Sequence, residues 1–130
     1  MKFEGIICPM ISPFTVDGKV YADGVRSLIE FLCKNGVNGI FVCGTYGLGP
    51  AMSIDERKKI AELSVEHASG KMDVIIHVGS SNIDTSIELA KHAEDVGADA
   101  IASTPPFYYK YDDEPVYSFF KSLIEKVSIP

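Results

Sequence analysis

The chain has 130 residues and a mass of 14.2 kDa, the size of one ordinary domain. At 46% hydrophobic and 23% charged it excludes the disordered and collagenous classes, and about two-thirds of its unfolded surface can be buried in a core. Twelve basic against eighteen acidic residues leave a net charge of −6, which argues against a nucleic-acid or anionic-membrane partner but not against a small anionic ligand.

Along the chain, Gly-Ile-Ile-Cys-Pro-Met-Ile at 5–11 predicts a short buried strand, and Asp17-Gly18 a turn. Val25, Leu28, Ile29 and Leu32 recur at helical spacing and predict a helix over 23–35, with Gly36 as its left-handed cap. A second strand is expected over 38–43, followed by the loop Gly44-Thr45-Tyr46-Gly47-Leu48-Gly49-Pro50. Ser53-Ile-Asp-Glu56 has the pattern of a capping box and opens a helix over 54–69. Val74–Val78 is a third apolar strand, running into Gly79-Ser80-Ser81-Asn82 and a helix from Asp84 to Val96 that Gly97 ends. Asp99–Ser103 is the fourth strand, ending in Thr104-Pro-Pro-Phe-Tyr108-Tyr109. The last helix, 113–127, carries the stripe Val116, Phe119, Phe120, Leu123, Ile124 and Val127.

Continuous rather than alternating apolar strands mean burial on both faces, and therefore a parallel sheet with helices outside. Two architectures fit four such βα units: an open doubly wound sheet, or the amino-terminal half of a (βα)8 TIM barrel, which needs about 250 residues. Ser-Ile-Pro after the last helix stands where a fifth strand would begin, so a break in a longer chain is expected, with 1–130 forming half of one barrel domain. Cys8, Cys33 and Cys43 have no metal-ligand spacing and read as reduced thiols of a cytoplasmic protein. No apolar run approaches the roughly 20 residues of a membrane span, and Pro9 and Pro13 break the amino-terminal apolar stretch.

Functional groups of parallel α/β proteins lie at the carboxyl ends of the strands. There, Gly44-Thr45-Tyr46-Gly47 reads either as a nest of backbone N–H groups for a carboxylate or phosphate, or as a tight strand-to-helix turn. It is neither a phosphate-binding P-loop nor a dinucleotide fingerprint. Thr45, a small hydroxyl bracketed by glycines, is better explained by function than by structure. His77 reads as a core histidine, His67 and His92 as solvated surface, and Glu56 as a cap. Tyr109 reads as a packing aromatic and Lys110 as an ordinary exposed lysine.

Gly44-Thr45-Tyr46-Gly47-Leu48-Gly49-Pro50, together with Gly79-Ser80-Ser81 and Pro105-Pro106-Phe107-Tyr108-Tyr109, resembles the dihydrodipicolinate synthase/N-acetylneuraminate lyase family of class I aldolases, in order from Ile6 to the end. Leu48, where the synthases usually carry Glu, makes the loop look most like that of archaeal 2-keto-3-deoxygluconate aldolases. The resemblance implies a TIM barrel, usually a homotetramer built as a dimer of dimers. In such enzymes a lysine amine forms an imine with pyruvate or a 2-keto sugar acid, and no metal or organic cofactor is needed. It also implies that Thr45 joins a proton relay, that Thr45, Tyr46 and Gly47 bind the substrate carboxylate, and that Tyr108 reaches the neighbouring subunit's site.

Two departures from the family pattern stand out. Tyr46 replaces the second Thr of the loop, so a phenol stands where a small hydroxyl meets the carboxylate, leaving its backbone N–H to serve. The family's imine lysine and second tyrosine belong to strands beyond Pro130, and none of the ten lysines here lies in an apolar strand. The expected reaction of the complete protein is reversible cleavage of a 2-keto-3-deoxy sugar acid, such as 2-keto-3-deoxygluconate, to pyruvate and an aldehyde. The alternatives are 4-hydroxy-tetrahydrodipicolinate synthesis, N-acetylneuraminate cleavage, or a non-catalytic carboxylate-binding half-barrel that dimerises to cover its open edges.

Overall fold

Four strands and four helices alternate along residues 3–130, the part of the chain that the computed structural model describes. They are β1 (Ile7–Pro9), α1 (Ala22–Lys34), β2 (Gly39–Val42), α2 (Ile54–Ala68), β3 (Asp73–His77), α3 (Ile83–Asp95), β4 (Ala100–Ala102) and α4 (Asp113–Ile124), with a short 3-10 turn at Gly49–Ala51. The helix boundaries follow local chemistry. Ser53 Oγ accepts the Glu56 N–H while Glu56 Oε2 accepts the Ser53 N–H, which completes the capping box of α2. Asn82 Oδ1 accepts from Asp84 and Thr85 to start α3. Gly36 and Gly97, at φ +77° and +89°, turn the chain out of α1 and α3.

The strands are shorter than the apolar runs suggest. Gly5, at φ +83°, precedes β1, and Pro9 has no N–H to extend it; only the Met10 N–H reaches on to the Phe41 carbonyl. β2 stops where Cys43 takes a φ of +59°. The final helix ends at Ile124 rather than 127, and Ile124 is 63% exposed, so the buried stripe of α4 reduces to Phe119 and Leu123, flanked by the half-buried Val116 and Phe120. His92 is also not a solvated surface group: its Nε2 lies 3.2 Å from Glu62 Oε1, a pair that ties α3 to α2.

The strands pair in parallel in the order β1-β2-β3-β4. Right-handed crossovers that always step to the next strand place every helix on the same face of the sheet. The helices accordingly touch in chain order, α1 on α2, α2 on α3 and α3 on α4. A doubly wound sheet needs a reversal of strand order that sends helices to the other face, so that alternative is excluded. Four consecutive βα units with the helices on one face are the arrangement found in part of a (βα)8 barrel.

Ile40 and Val42 of β2 and Val74 and Ile76 of β3 face the helices and join Val25, Ile29, Ile60 and Leu89 in one core. Burying each such side chain contributes roughly 1.5–3 kcal/mol. On the opposite, inner face the register aligns Pro9, Phe41, Ile75 and Ala100 in one row and His77 with Ala102 in the next. Phe41, Ile75 and Ala102 are only half-buried. The central strands β2 and β3 are therefore buried fully on the helix side and partly on the side that lines the barrel interior, while Cys8 of β1 and Ile101 of β4 stay half-buried at the sheet's edges.

Candidate functional site

The carboxyl ends of all four strands come together at one rim, and the loop after β2 is its most constrained part. Cys43 and Leu48, at φ +59° and +58°, put left-handed turns at both ends of it, each at a cost of about 1–2 kcal/mol for a side chain with a Cβ. Leu48 N–H donates to the Thr45 carbonyl at 3.1 Å and Gly49 N–H to that of Gly44 at 3.0 Å, which closes the turn on itself. The nearly buried Ser12, from the chain leaving β1, donates its hydroxyl to the Gly47 carbonyl at 2.6 Å. A Cβ on Gly47 would stand 2.9 Å from the Met10 carbonyl, so only glycine lets the two segments approach this closely.

The carbonyls of Gly44, Thr45 and Gly47 are thus occupied, while three donors of the loop stay free. Among the described residues, none of the Thr45, Tyr46 and Gly47 N–H groups donates a hydrogen bond, and the exposed Thr45 hydroxyl makes none either. These residues border a cavity of about 320 Å³ whose floor is Pro9 and Phe41 of the inner face. The cavity itself is almost wholly apolar, with these three adjacent amides and the hydroxyl beside it. Tyr46 is 72% exposed and borders both this cavity and a second one lined by Leu28 and Leu32 of α1.

The loop after β4 has a different character. Tyr108 has φ +88° and is 89% exposed, and its ring stacks edge-on against Tyr109 at 4.9 Å, which in turn meets Tyr111 at 6.4 Å. Among the described residues, no hydrogen bond or ring contact joins Tyr108 to Thr45. Lys110 is exposed, as expected. None of the nine described lysines lies on a strand.

Sequence reasoning missed two groups behind the rim. Arg57 of α2 is only 5% exposed and, among the described residues, has no carboxylate partner; its Nη1 donates to the Gly79 carbonyl at 3.1 Å and its Nη2 to that of His77 at 2.7 Å. Burial pulls its affinity for a proton down, although a guanidinium stays charged. The signal was available: Arg57 falls on the buried stripe of α2 with Ile60, Ala61, Ser64 and Ala68. The second is Ser12, the clamp on Gly47.

His77 is buried, as a core histidine should be, yet it is only half satisfied. Its Nε2 accepts the Thr104 N–H at 3.3 Å, while Nδ1 is buried without a partner. Burial, reinforced by the Arg57 guanidinium, pushes its pKa from 6.5 down to about 4; the Cys43 backbone acts the other way but forms no hydrogen bond with Nδ1. The ring is neutral at pH 7, with its proton on Nδ1. Burial likewise raises the Cys43 pKa to about 11, against the pull of Arg57, so this residue stays a thiol. Among the described residues no group of three His, Cys, Asp or Glu side chains could hold a metal ion, and no helix is long and apolar enough to cross a membrane.

Comparison with known proteins agrees with this fold. The chain is similar to the 4-hydroxy-tetrahydrodipicolinate synthase of Clostridium perfringens, 38% identical over 128 residues that make up 98% of this chain and 44% of that protein. Among solved structures it is similar to dihydrodipicolinate synthase from Aquifex aeolicus, with a TM-score of 0.94 and 36% identity over 98% of this chain and 43% of that one. It is also similar to YagE, a prophage protein of the dihydrodipicolinic acid synthase family from Escherichia coli K12 solved in complex with pyruvate, with a TM-score of 0.95 and 35% identity over the same shares. The chain thus spans less than half the length of the relatives it matches, and supplies about the first four βα units of their barrel. Residues 2–130 match the dihydrodipicolinate synthetase family, and the chain belongs to it.

Proposed function

We propose that the intact protein carrying this chain is a class I, Schiff-base enzyme that makes or breaks a carbon–carbon bond with pyruvate as one partner. The observation that carries this reading is the loop at the end of β2, where the free amides of Thr45, Tyr46 and Gly47 and the Thr45 hydroxyl meet the apolar floor of Pro9 and Phe41. In this reading the amides bind the carboxylate of the 2-keto acid, and Thr45 holds it and relays a proton. A lysine on a later strand attacks the ketone, losing water to give an imine, and the protonated imine takes up the electron pair released when the C–C bond breaks. Tyr108, exposed on its left-handed turn, completes the site of a neighbouring subunit in a dimer of dimers. A cytoplasmic protein that needs neither a metal nor an organic cofactor fits this chemistry.

For the second substrate, the relatives weigh toward 4-hydroxy-tetrahydrodipicolinate synthesis over cleavage of a 2-keto-3-deoxy sugar acid. A specific observation favours the sugar-acid reading: Leu48, 53% exposed at the rim, puts an apolar side chain where the synthases carry a carboxylate.

Borohydride reduction of the intact protein in the presence of pyruvate, followed by mass spectrometry, tests the reaction class. A single pyruvate adduct is expected, and an unmodified protein would leave only a carboxylate-binding role. Formation of 4-hydroxy-tetrahydrodipicolinate, compared with release of pyruvate from 2-keto-3-deoxygluconate and from N-acetylneuraminate, then decides between the substrates.

A further inference from the structure

The loop that presents Tyr108 is held by very little. Among the described residues, the bond from Thr104 N–H to His77 Nε2 is the only hydrogen bond that ties residues 104–111 to another strand. The acceptor is built with care. The His77 ring is 5% exposed on the inner face, 6.0 Å from the Phe41 ring. Gly79 leaves it room, since a Cβ there would sit 2.8 Å from Cε1 and 3.0 Å from Nε2. From behind the sheet, Arg57 holds the carbonyls of both His77 and Gly79 and so fixes the backbone on either side of the ring.

We propose that His77 is a positioning residue, whose Nε2 accepts the Thr104 N–H and thereby sets the place of Tyr108. The role needs a neutral imidazole with its proton on Nδ1, because a donor at Nε2 would face the donor of Thr104. It couples the end of β3 to the loop after β4 without any contact between the ring and substrate. Its catalytic consequence rests on the role proposed above for Tyr108; the coupling itself does not.

Two near-isosteric substitutions separate the acceptor from the bulk. Glutamine carries its Oε1 as many bonds from Cβ as histidine carries Nε2, whereas the Oδ1 of asparagine falls at the place of Nδ1. In the intact protein, His77→Asn is expected to speed exchange of the Thr104 amide by at least about tenfold, the effect of losing one hydrogen bond, while His77→Gln keeps it within about twofold of the parent. His77→Asn should lower kcat and leave KM for pyruvate nearly unchanged, and His77→Gln should restore kcat. Should His77→Asn not fold, Gly79→Ala, which pushes the ring aside, is expected to speed the same exchange. Thr104 exchange unchanged in the folded Asn variant, or equally fast in the Gln variant, overturns the proposal, as does unchanged exchange in Gly79→Ala. A parent protein that forms no borohydride adduct would instead remove the reaction class and leave the exchange result standing.

Discussion

The loops after β2 and β4 sit at the same rim and are built in opposite ways. The first closes on itself through Leu48 and Gly49, is clamped by Ser12, and carries left-handed residues at both ends. The second runs from Thr104 to Tyr111 with three tyrosines on the surface and one hydrogen bond to a neighbouring strand. Strain and close backbone packing hold a binding loop in shape before any ligand arrives. The second loop exposes its aromatic rings and draws its placement from outside itself, through His77 and through whatever surface its tyrosines meet. A rim that combines the two has one part shaped by the chain's own backbone and one part that answers to its surroundings.

Several experiments break or sharpen this contrast. The largest effect is expected from Gly49→Ala, because the added Cβ would run into the Cys43 carbonyl of the self-closed loop. Unfolding of the intact protein in urea should show a loss of about 3 kcal/mol or more. A loss under 1 kcal/mol would show the loop to be softer than its packing suggests.

Acid should act on the second loop through His77. The folded state holds its pKa near 4 against 6.5 when exposed, so between these values the unfolded chain binds the extra proton and stability falls as the pH drops. The loss reaches up to about 3 kcal/mol at pH 4 and is absent above pH 7, and His77→Gln should remove that part of the slope in urea midpoints measured across the range. Ser12→Ala removes the clamp on Gly47 and is expected to cost about 1 kcal/mol by the same measurement, together with a weaker grip on pyruvate seen by titration calorimetry. Smallest of all, Tyr109→Ala in the second loop should stay within about 0.5 kcal/mol, since that residue is 68% exposed and its ring contacts, among the described residues, are with Tyr108 and Tyr111. A loss comparable to that of Ser12→Ala would mean that the tyrosines carry the loop's stability, and the contrast would fail.

What could be read from the chain before its structure follows a physical division. Helices announce themselves locally: the spacing of Val25, Ile29 and Leu32, and the pairing of Ser53 with Glu56, act within one or two turns. Strand ends were less legible, because β1 is bounded by Gly5 and Pro9 and β2 by the turn at Cys43, rather than by where apolar residues run out. Sheet order was open as well, since apolar strands pack equally well in a barrel or a doubly wound sheet; only the consecutive pairing of β1 to β4 decides it. Thr45 and its glycines were visible as a tight loop at the end of β2. Ser12 and the bond from Thr104 to His77 were not, because their partners lie 27 to 35 residues away; the burial of Arg57 shows in the stripe of α2, but its carbonyl partners 20 and 22 residues on do not. His92 was misjudged for the same reason, its charged neighbour lying on another helix.

The guanidinium of Arg57 also bears on how the chain folds. Its positive charge leaves water in exchange for the carbonyls of residues 77 and 79, which have their places only once β3 is laid against β2. A folding intermediate with α2 docked and the end of β3 still loose would bury a cation with nothing to receive it, at a cost of several kcal/mol. α2 and the carboxyl end of β3 are therefore obliged to assemble, and to open, as one cooperative unit. Native-state exchange should show the amides of Ile60 and Ala61 and those following His77 opening at the same denaturant concentration, with Arg57→Met uncoupling them.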